Sequence, residues 1–370
     1  MKRLLVALFL LTAVSLIASF ASAHDPNQPP HQLYKMGDLS LESGGAIKDF
    51  AISYVTHGAL NDKKSNAILI VTAIGGNHHR LDFMIGPGRP LDPARYFIIA
   101  TDAISNVLTT SPSNSAAQPR MQFPNFLIRD MVTSQYRLLT DHLGVNHVVA
   151  VVGPSMGGMQ ALQWGVSHPD FMDCLVALVP LAKTPAWTVA VLEATRKTIM
   201  ADSEWNQGNY TKAPEHGARL WRGIMFLAAR SPEAYQAQFK NPLDVIPWLQ
   251  QQETNLMNSF DANDWLYQTW AYERHDVGTT PGLEGDTKKA LASIKAKTLI
   301  LLGTQDLLNP EWEPREAAGS IRDAKVVAIR PESVTGHAAA GGAIPADVEF
   351  INRETAAFLD QVTDGGKRLD

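Results

Sequence analysis

Ser155 is the residue of this chain best placed to act as a nucleophile. It lies in Gly153-Pro154-Ser155-Met156-Gly157, between an apolar run typical of a strand and a segment typical of a helix. A strand, a G-x-S-x-G sequence and a helix in that order indicate a nucleophile elbow, which exposes a serine hydroxyl at the end of a sheet. Without those flanking elements the pattern would indicate only a glycine-rich turn. We therefore predict that Ser155 is a catalytic nucleophile.

A serine hydroxyl needs a neighbouring base, and the base needs an acid that orients it. Asp306 directly follows the apolar run 298–302, and His337 lies in a glycine-containing loop beyond the run 325–329. Both would project from the carboxyl ends of strands, where Ser155 also lies. The order serine, acid, histidine is that of a nucleophile-elbow hydrolase. We predict Asp306 as the acid and His337 as the base.

Each of these two residues has a simpler alternative. Asp306 precedes Asn309-Pro310, where an aspartate is common turn chemistry, and His337 could be a histidine of a surface loop. Glu332 and Asp323 are alternative acids. Neither of them directly follows a strand in the expected loop, so Asp306 is preferred.

Negative charge that develops on a substrate oxygen must be stabilised by backbone N–H groups. One should come from Met156, at the start of the helix after Ser155. The other should come from the loop 72–77, whose two glycines allow a ligand to approach the backbone closely. We predict the N–H of Ile74 as this second donor, with that of Ala73 as the alternative.

The elements that would position these residues alternate between short apolar strands and helices. This alternation predicts an α/β fold with a mostly parallel sheet and helices on both faces. Helices are predicted at 128–143 and 351–362, and residues 24–33 are predicted to be a flexible leader. The predicted strands are 52–55, 67–71, 96–100, 148–152, 173–179, 298–302 and 325–329.

The alternation breaks after Pro180. Residues 183–292 are helical in composition and contain six of the eight tryptophans. We predict that this segment is a helical lid over the carboxyl ends of the strands. The core would then comprise residues 24–182 and 293–370. Most of the tryptophans should be lid core, but part of the lid should line the pocket.

The N-terminus has the pattern of a secretory signal peptide. A basic start at Lys2 and Arg3 precedes an apolar stretch, which ends at the small-residue site Ala21-Ser22-Ala23. We predict cleavage after Ala23 and a periplasmic or secreted protein. The alternative, an N-terminal membrane anchor, is less favoured because the apolar stretch is short for a span.

Charge and composition exclude several other functions. Loss of Lys2 and Arg3 would take the formal net charge from −5 to −7, which argues against nucleic acid or an anionic membrane as a partner. Cys174 is the only cysteine, so no intrachain disulfide can form. The adjacent pair His78-His79 has no partner cluster that would suggest a metal. No phosphate-binding or dinucleotide motif is present, and we expect no cofactor.

Beyond the elbow, the chain resembles the homoserine O-acetyltransferase family of α/β-hydrolase-fold proteins. The strongest match is Ser155-Met156-Gly157-Gly158-Met159-Gln160-Ala161-Leu162-Gln163-Trp164. Further matching segments are 41–44, 58–61, 91–99, 123–124, 128–132 and 142–145. The resemblance implies a triad of Ser155, Asp306 and His337, a helical lid, and a homodimer formed through the lid. It also implies a substrate-binding arginine in the lid, for which Arg222 is the nearest equivalent.

Three departures distinguish this chain from the transferases of that family. Ala338 stands where they usually have an aspartate that helps hold the substrate ammonium, and Pro154 stands where they often have a glycine. The predicted export would also separate the protein from cytoplasmic acetyl-CoA. The family includes relatives that hydrolyse short-chain esters. We therefore predict hydrolysis of a short-chain carboxylic ester. The alternatives are an acetyl-CoA-dependent acyltransferase and a non-catalytic binding protein on this scaffold.

Overall fold

The computed structural model describes residues 30–254 and 261–363. The predicted signal peptide, including its cleavage site after Ala23, lies outside these residues. Among the helices that are described, none is long and apolar enough to cross a membrane.

A single sheet organises the molecule. Its strands are β1 (Gln32–Ser40), β2 (Ala46–His57), β3 (Ala67–Val71), β4 (Phe97–Thr101), β5 (Val148–Pro154), β6 (Met172–Leu178), β7 (Lys297–Leu302) and β8 (Ala324–Ala328). They are arranged in the order β1-β2-β4-β3-β5-β6-β7-β8. Strands β3 to β8 are mutually parallel, whereas β2 is antiparallel to both of its neighbours. The predicted fold class, a mostly parallel sheet within an α/β fold, is confirmed.

Strand β1 was not predicted, and the predicted flexible leader was wrong at Gln32 and Leu33, which begin this strand. Only Met36 and Leu39 of β1 are buried. An edge strand with one solvent-facing side carries few apolar residues. The strand is stabilised by its pairing with β2, which local composition does not reveal.

Ten helices of the described residues surround this sheet. They are α1 (Ile128–Arg137), α2 (Met156–Ser167), α3 (Ala186–Met200), α4 (Glu215–Ala229), α5 (Pro232–Gln238), α6 (Val245–Thr254), α7 (Ala262–Glu273), α8 (Thr287–Ala292), α9 (Trp312–Ala318) and α10 (Pro345–Val362). The helix predicted at 128–143 is α1, which continues as a π-helical turn over Leu138–His142.

Two apolar clusters cover the two faces of the sheet, because successive side chains of a strand point to opposite faces. Leu69 of β3 belongs to one cluster, and its neighbours Ile68 and Ile70 belong to the other. Every residue of β3 and β5 is buried. This burial on both faces explains why the central strands read as continuous apolar runs.

Helices α3 to α8 lie between β6 and β7 in the chain. Part of this segment has its own apolar cluster, which includes Trp205, Trp221 and Trp265. Other parts pack on the sheet's own helices: Tyr272 of α7 and Leu291 of α8 belong to the larger core cluster. The segment is therefore attached to the core by α7 and α8, while α4 reaches the region above Ser155.

Candidate active site

Ser155 occupies a strained turn between β5 and α2. Its backbone has φ 56° and ψ −118°, a conformation that L-residues rarely adopt. Only glycine fits at the two positions that flank this turn. A Cβ on Gly153 would lie 2.4 Å from the backbone of Gly157, and a Cβ on Gly157 would lie 2.3 Å from the carbonyl oxygen of Val71. The turn therefore has the geometry predicted for a nucleophile elbow.

The structure brings the three predicted catalytic side chains into one hydrogen-bonded line. Nε2 of His337 lies 2.9 Å from Oγ of Ser155, and Nδ1 of the same ring lies 2.7 Å from Oδ2 of Asp306. A base within this distance can accept the serine proton, and a carboxylate on the other ring nitrogen sets the tautomer. The arrangement can generate a serine nucleophile at neutral pH.

The carboxylate of Asp306 is buried and fully oriented. While Oδ2 bonds His337, Oδ1 accepts hydrogen bonds from the N–H groups of Leu308 and Asn309, both at 2.8 Å. The turn chemistry considered as an alternative for Asp306 is thus present together with its contact to His337. The other candidate acids lie elsewhere: Glu332 pairs with Arg330 at 3.0 Å, and Asp323 is exposed.

The loop after β3 forms the wall beside Ser155. Two of its N–H groups already have acceptors: Gly76 donates to the carbonyl of Ala73 at 3.0 Å, and Gly75 donates to Oε1 of Gln268 at 2.9 Å. No acceptor among the described residues takes the N–H of Ala73 or of Ile74. Both therefore remain candidates for the oxyanion donor from this loop. Met156 is the first residue of α2, where N–H groups have no intrahelical partner.

A buried chain of amide hydrogen bonds joins α2 to this loop. Nε1 of Trp164 donates to Gln135, Nε2 of Gln135 donates to Gln160, and Nε2 of Gln160 donates to the carbonyl of Thr72 at 3.1 Å. Buried polar groups that are fully paired fix the relative positions of the elements they join. This chain gives Gln160 and Trp164, two residues of the strongest matching motif, a structural role behind Ser155.

A cavity of about 230 Å³ opens over Ser155 and His337. The core contributes Ala73, Ile74 and Gly75, and the lid contributes aromatic and basic side chains. Trp221 and Trp265 are among them, with ring centroids 4.5 Å apart. The expectation that part of the tryptophan-rich segment lines the pocket is met by these two residues. Arg222 of α4 also lines the cavity, as its proposed equivalence to a substrate-binding arginine requires.

Several residues of the site were missed by sequence reasoning. Arg80 and Arg230 line the cavity together with Arg222. Gln268 and Tyr272, one helical turn apart on α7, contact the oxyanion loop and the acid loop: Tyr272 donates a 2.7 Å hydrogen bond to Asn309. Their spacing of four residues indicates that they lie on the same face of a lid helix. The spacing does not indicate which part of the protein that face contacts.

The remaining chemically interesting residues lie apart from this cavity. His78 bonds Asp102 at 2.7 Å and His79 bonds Asp82 at 3.0 Å. Cys174 is fully buried in β6, and burial raises the pKa of its thiol. Residues 30–254 and 261–363 contain no group of three or more side chains arranged to hold a metal ion.

Comparison with known proteins places this architecture in a family. Residues 66–333 match the alpha/beta hydrolase fold family. The chain is 34% identical to the homoserine O-acetyltransferase of Methanosalsum zhilinae, over an alignment that covers 88% of this chain and 72% of that protein. The chain therefore belongs to the α/β-hydrolase fold family, in the group that includes the homoserine O-acetyltransferases. It is an acyl-transfer enzyme of that fold.

Solved structures of proteins with two different activities resemble most of the chain. An acetylester hydrolase from Corynebacterium glutamicum superimposes with a TM-score of 0.83 at 29% identity, covering 90% of this chain and 96% of that one. A homoserine O-acetyltransferase from Bacillus anthracis superimposes with a TM-score of 0.79 at 25% identity, covering 90% and 97%. The fold accommodates both activities, so the acyl acceptor must be argued from the site.

Proposed function

We propose that this protein hydrolyses short-chain carboxylic esters through an acyl-Ser155 intermediate. The observation that most directly supports this proposal is the line of hydrogen bonds from Ser155 through His337 to Asp306, beside a small cavity. Among the described residues that line this cavity there is no aspartate or glutamate. An acceptor such as homoserine carries an ammonium group, and nothing in this lining would compensate that charge.

The reaction proceeds in two half-reactions. His337 Nε2 accepts the Ser155 proton as Oγ bonds the ester carbonyl carbon, and Asp306 stabilises the imidazolium. The N–H of Met156 and an N–H of the 72–77 loop stabilise the oxyanion. The alcohol then leaves with the proton from His337. In the second half, His337 takes a proton from water, the hydroxide attacks the acyl carbon, and Ser155 recovers its proton as the acid leaves.

The test is the turnover of 4-nitrophenyl acetate by the purified protein and by Ser155→Ala. We expect release of 4-nitrophenol by the unchanged protein and loss of this activity in Ser155→Ala, because Ser155 Oγ is the only oxygen of the described residues that is hydrogen-bonded to His337 Nε2. Ser203→Ala, which alters an exposed serine of the lid segment, is the matched control. Undiminished turnover by Ser155→Ala would refute the assignment.

The sequence relatives support a second candidate, acyl transfer from acetyl-CoA to homoserine. Identity of 34% to a homoserine O-acetyltransferase and the position of Arg222 in the cavity both favour it. The two candidate functions differ in the acyl acceptor, which is water for hydrolysis and homoserine for transfer. We expect slow thiol release from acetyl-CoA that homoserine does not accelerate. Release that depends on homoserine and yields O-acetylhomoserine would replace hydrolysis by transfer as the main activity.

We also propose that the protein is exported, as the sequence pattern of residues 1–23 predicts. The measurement is the N-terminal sequence of the protein recovered from the periplasm or medium of an expressing bacterium. A start at His24 is expected, and an intact Met1 in a membrane fraction would indicate an anchor instead.

A further inference from the structure

A buried histidine–aspartate pair outside the catalytic triad lies at the end of the oxyanion loop, residues 72–77. Nδ1 of His78 is 2.7 Å from Oδ2 of Asp102, and the two side chains are only 1% and 0% exposed. Burying charged groups is costly unless they are paired and hydrogen-bonded. The contacts of this pair therefore show what it holds in place.

The register of the sheet brings Asp102 to the edge where the oxyanion loop begins. Asp102 directly follows β4, and β4 pairs in parallel with β3 such that Thr101 lies opposite Val71, the last residue before the loop. The backbone N–H of Asp102 also donates to the carbonyl of Ser53 in β2 at 2.9 Å. Asp102 is thus anchored by its backbone to the sheet, next to the loop.

Asp102 holds His78 by both its backbone and its side chain. Oδ1 of Asp102 accepts from the backbone N–H of His78 at 2.9 Å, and Oδ2 accepts from Oγ of Ser53 at 2.6 Å. Because a carboxylate only accepts hydrogen bonds, the ring nitrogen of His78 that faces it carries a proton and is a further donor. Charge-assisted hydrogen bonds such as these are among the strongest in proteins. His78 consequently has a fixed backbone and a fixed ring.

His78 in turn fixes the end of the oxyanion loop, because it directly follows Asn77. The carbonyl of Asn77 accepts a 2.9 Å hydrogen bond from Oγ1 of Thr72, which closes the loop on its own first residue. Ala73 and Ile74, the two candidate oxyanion donors, lie between these closing residues. A shift of His78 would therefore move the segment that carries both donors.

Asn106 provides a second link between Asp102 and the loop. Its Nδ2 donates to Oδ1 of Asp102 at 2.9 Å and to the carbonyl of Gly76 at 3.2 Å. Together, the links at Gly76 and His78 attach the loop to the sheet, independently of the hydrogen bond that the lid residue Gln268 accepts from it. The core thus has its own means of holding the loop.

We propose that Asp102 and His78 are positioning residues that hold the oxyanion loop with one N–H directed at the substrate oxygen. This inference rests on the proposed function, because it concerns the oxyanion formed from the ester at Ser155. An oxyanion donor stabilises the transition state only if it is already in position when the charge develops. Loss of the pair should therefore lower kcat and leave KM almost unchanged.

Two substitutions of His78 separate its hydrogen bond from the space that its ring fills. His78→Leu fills that space without a donor, whereas His78→Asn keeps an amide N–H near the position of Nδ1. With 4-nitrophenyl acetate we expect kcat to fall by about 10- to 100-fold in His78→Leu and to be largely retained in His78→Asn. The control is His275→Leu, which removes another buried histidine, one that bonds the carbonyl of Leu181, and which should keep its kcat.

Trifluoroacetone tests the oxyanion itself, because Ser155 can add to it but cannot release a product. Oγ bonds the carbonyl carbon, the serine proton passes to His337, and the electron pair of the carbonyl becomes the charge on the oxyanion. In His78→Leu the inhibition constant should rise by about the factor by which kcat/KM falls. A variant that is only partly unfolded would lose kcat, but its folded molecules would keep the inhibition constant. An unchanged inhibition constant in His78→Leu would overturn the inference.

Asn106→Asp tests the same link at a partly buried position, where a substitution disturbs the core less. It keeps the oxygen of the side chain but exchanges the donor for a second carboxylate oxygen, which would face Asp102 and the carbonyl of Gly76. We expect kcat to fall and the inhibition constant to rise by about tenfold each. The control Asn114→Asp, at an exposed asparagine whose amide bonds the carbonyl of Thr109 instead, should change neither.

The outcomes separate this inference from the function on which it rests. Ser155-dependent hydrolysis with full activity and unchanged inhibition in both His78→Leu and Asn106→Asp would overturn the inference and leave hydrolysis standing. If His78→Leu does not fold, Asn106→Asp decides alone. If no ester is hydrolysed, fluorine NMR of trifluoroacetone measures the same adduct. An adduct in the unchanged protein that weakens in Asn106→Asp supports the inference, and absence of an adduct refutes it.

Discussion

The backbone N–H of Gly75 donates a 2.9 Å hydrogen bond to Oε1 of Gln268, which lies 193 residues further along the chain. Gln268 is buried in α7, and its Nε2 donates to the carbonyl of Ile104 at 3.0 Å. The loop that must supply an oxyanion donor is therefore held by a helix of the inserted segment. Tyr272, one turn further along α7, bonds Asn309 beside Asp306. One helix thus positions both the oxyanion loop and the acid loop.

Replacing Gln268 by Leu should loosen the loop that carries Ala73 and Ile74. Oxyanion contacts form in the transition state, so we expect kcat to fall by about 10- to 100-fold while KM changes little. The measurement is steady-state hydrolysis of 4-nitrophenyl acetate. Gln163→Leu is the control, because Gln163 is equally buried but bonds Ser167 and Thr280 away from the cavity. Equal loss of kcat in both variants would point to general destabilisation and contradict the positioning role.

Replacing Asp306 by Asn should remove activity while preserving the fold. The amide oxygen can still accept from Leu308 and Asn309, so its NH₂ would face Nδ1 of His337. That contact favours the tautomer with a proton on Nε2, which cannot accept the Ser155 proton. We expect kcat to fall by about 10³- to 10⁴-fold.

Glu332, the alternative candidate for the triad acid, provides the control variant for Asp306→Asn. Glu332 pairs with Arg330 at the surface, so Glu332→Gln should leave kcat close to that of the unchanged protein. Circular dichroism of both variants would establish that they are folded. If Glu332→Gln lost as much activity as Asp306→Asn, the assignment of the acid would be wrong.

Glu313 should make stability depend on pH. Its buried carboxyl accepts hydrogen bonds from Ala182 at 3.0 Å and Lys183 at 2.8 Å, and burial raises its pKa from 4.5 to about 7. Between these values the folded protein keeps a proton that the unfolded chain releases. The contribution to stability is therefore complete below pH 4.5 and is lost as the pH rises through 7.

The test for Glu313 is urea unfolding of Glu313→Gln and the unchanged protein at about pH 4.5 and about pH 8. The unfolding free energy of Glu313→Gln minus that of the unchanged protein should increase by on the order of 3 kcal/mol from the lower pH to the higher pH. Glu349→Gln, at an exposed position of α10, should show no such shift. A difference for Glu313→Gln that is independent of pH would mean that the carboxyl titrates normally.

The lid presents an apolar surface suited to the homodimer that the family resemblance implies, and we propose that this surface forms it. Leu220 and Leu227 of α4 are 47% and 56% exposed, and Leu243 and Ile246 nearby in the chain are 69% and 52% exposed. Leu220 and Leu227 are seven residues apart and share one face of the helix. Light scattering coupled to size-exclusion chromatography should show a dimer that Leu227→Asp converts to a monomer. The control variant Leu33→Asp, which changes a residue at the edge of the sheet, should remain dimeric. If the unchanged protein is a monomer, the proposed lid interface is refuted.

The fold was largely predictable because its central strands are buried on both faces. Such strands read as uninterrupted apolar runs, and β3 and β5 are wholly buried as those runs predicted. Strand β1 escaped prediction because only Met36 and Leu39 face the core. Its identity as a strand depends on hydrogen bonds to β2, which are contacts with another part of the chain.

For the site, the amino-acid sequence was enough to predict the three residues that we propose as the catalytic triad. Ser155 is marked by its local turn, and Asp306 and His337 are marked by their order and their positions after strands, because parallel strands deliver such loops to one edge of a sheet. The residues that surround this triad became known only from the folded structure. Gln268 reaches Gly75, and Arg222 and Arg230 converge on Phe226, through the packing of a helical segment on the core. Spacing along the chain specifies a helical face, but the partner of that face is set by packing between distant segments.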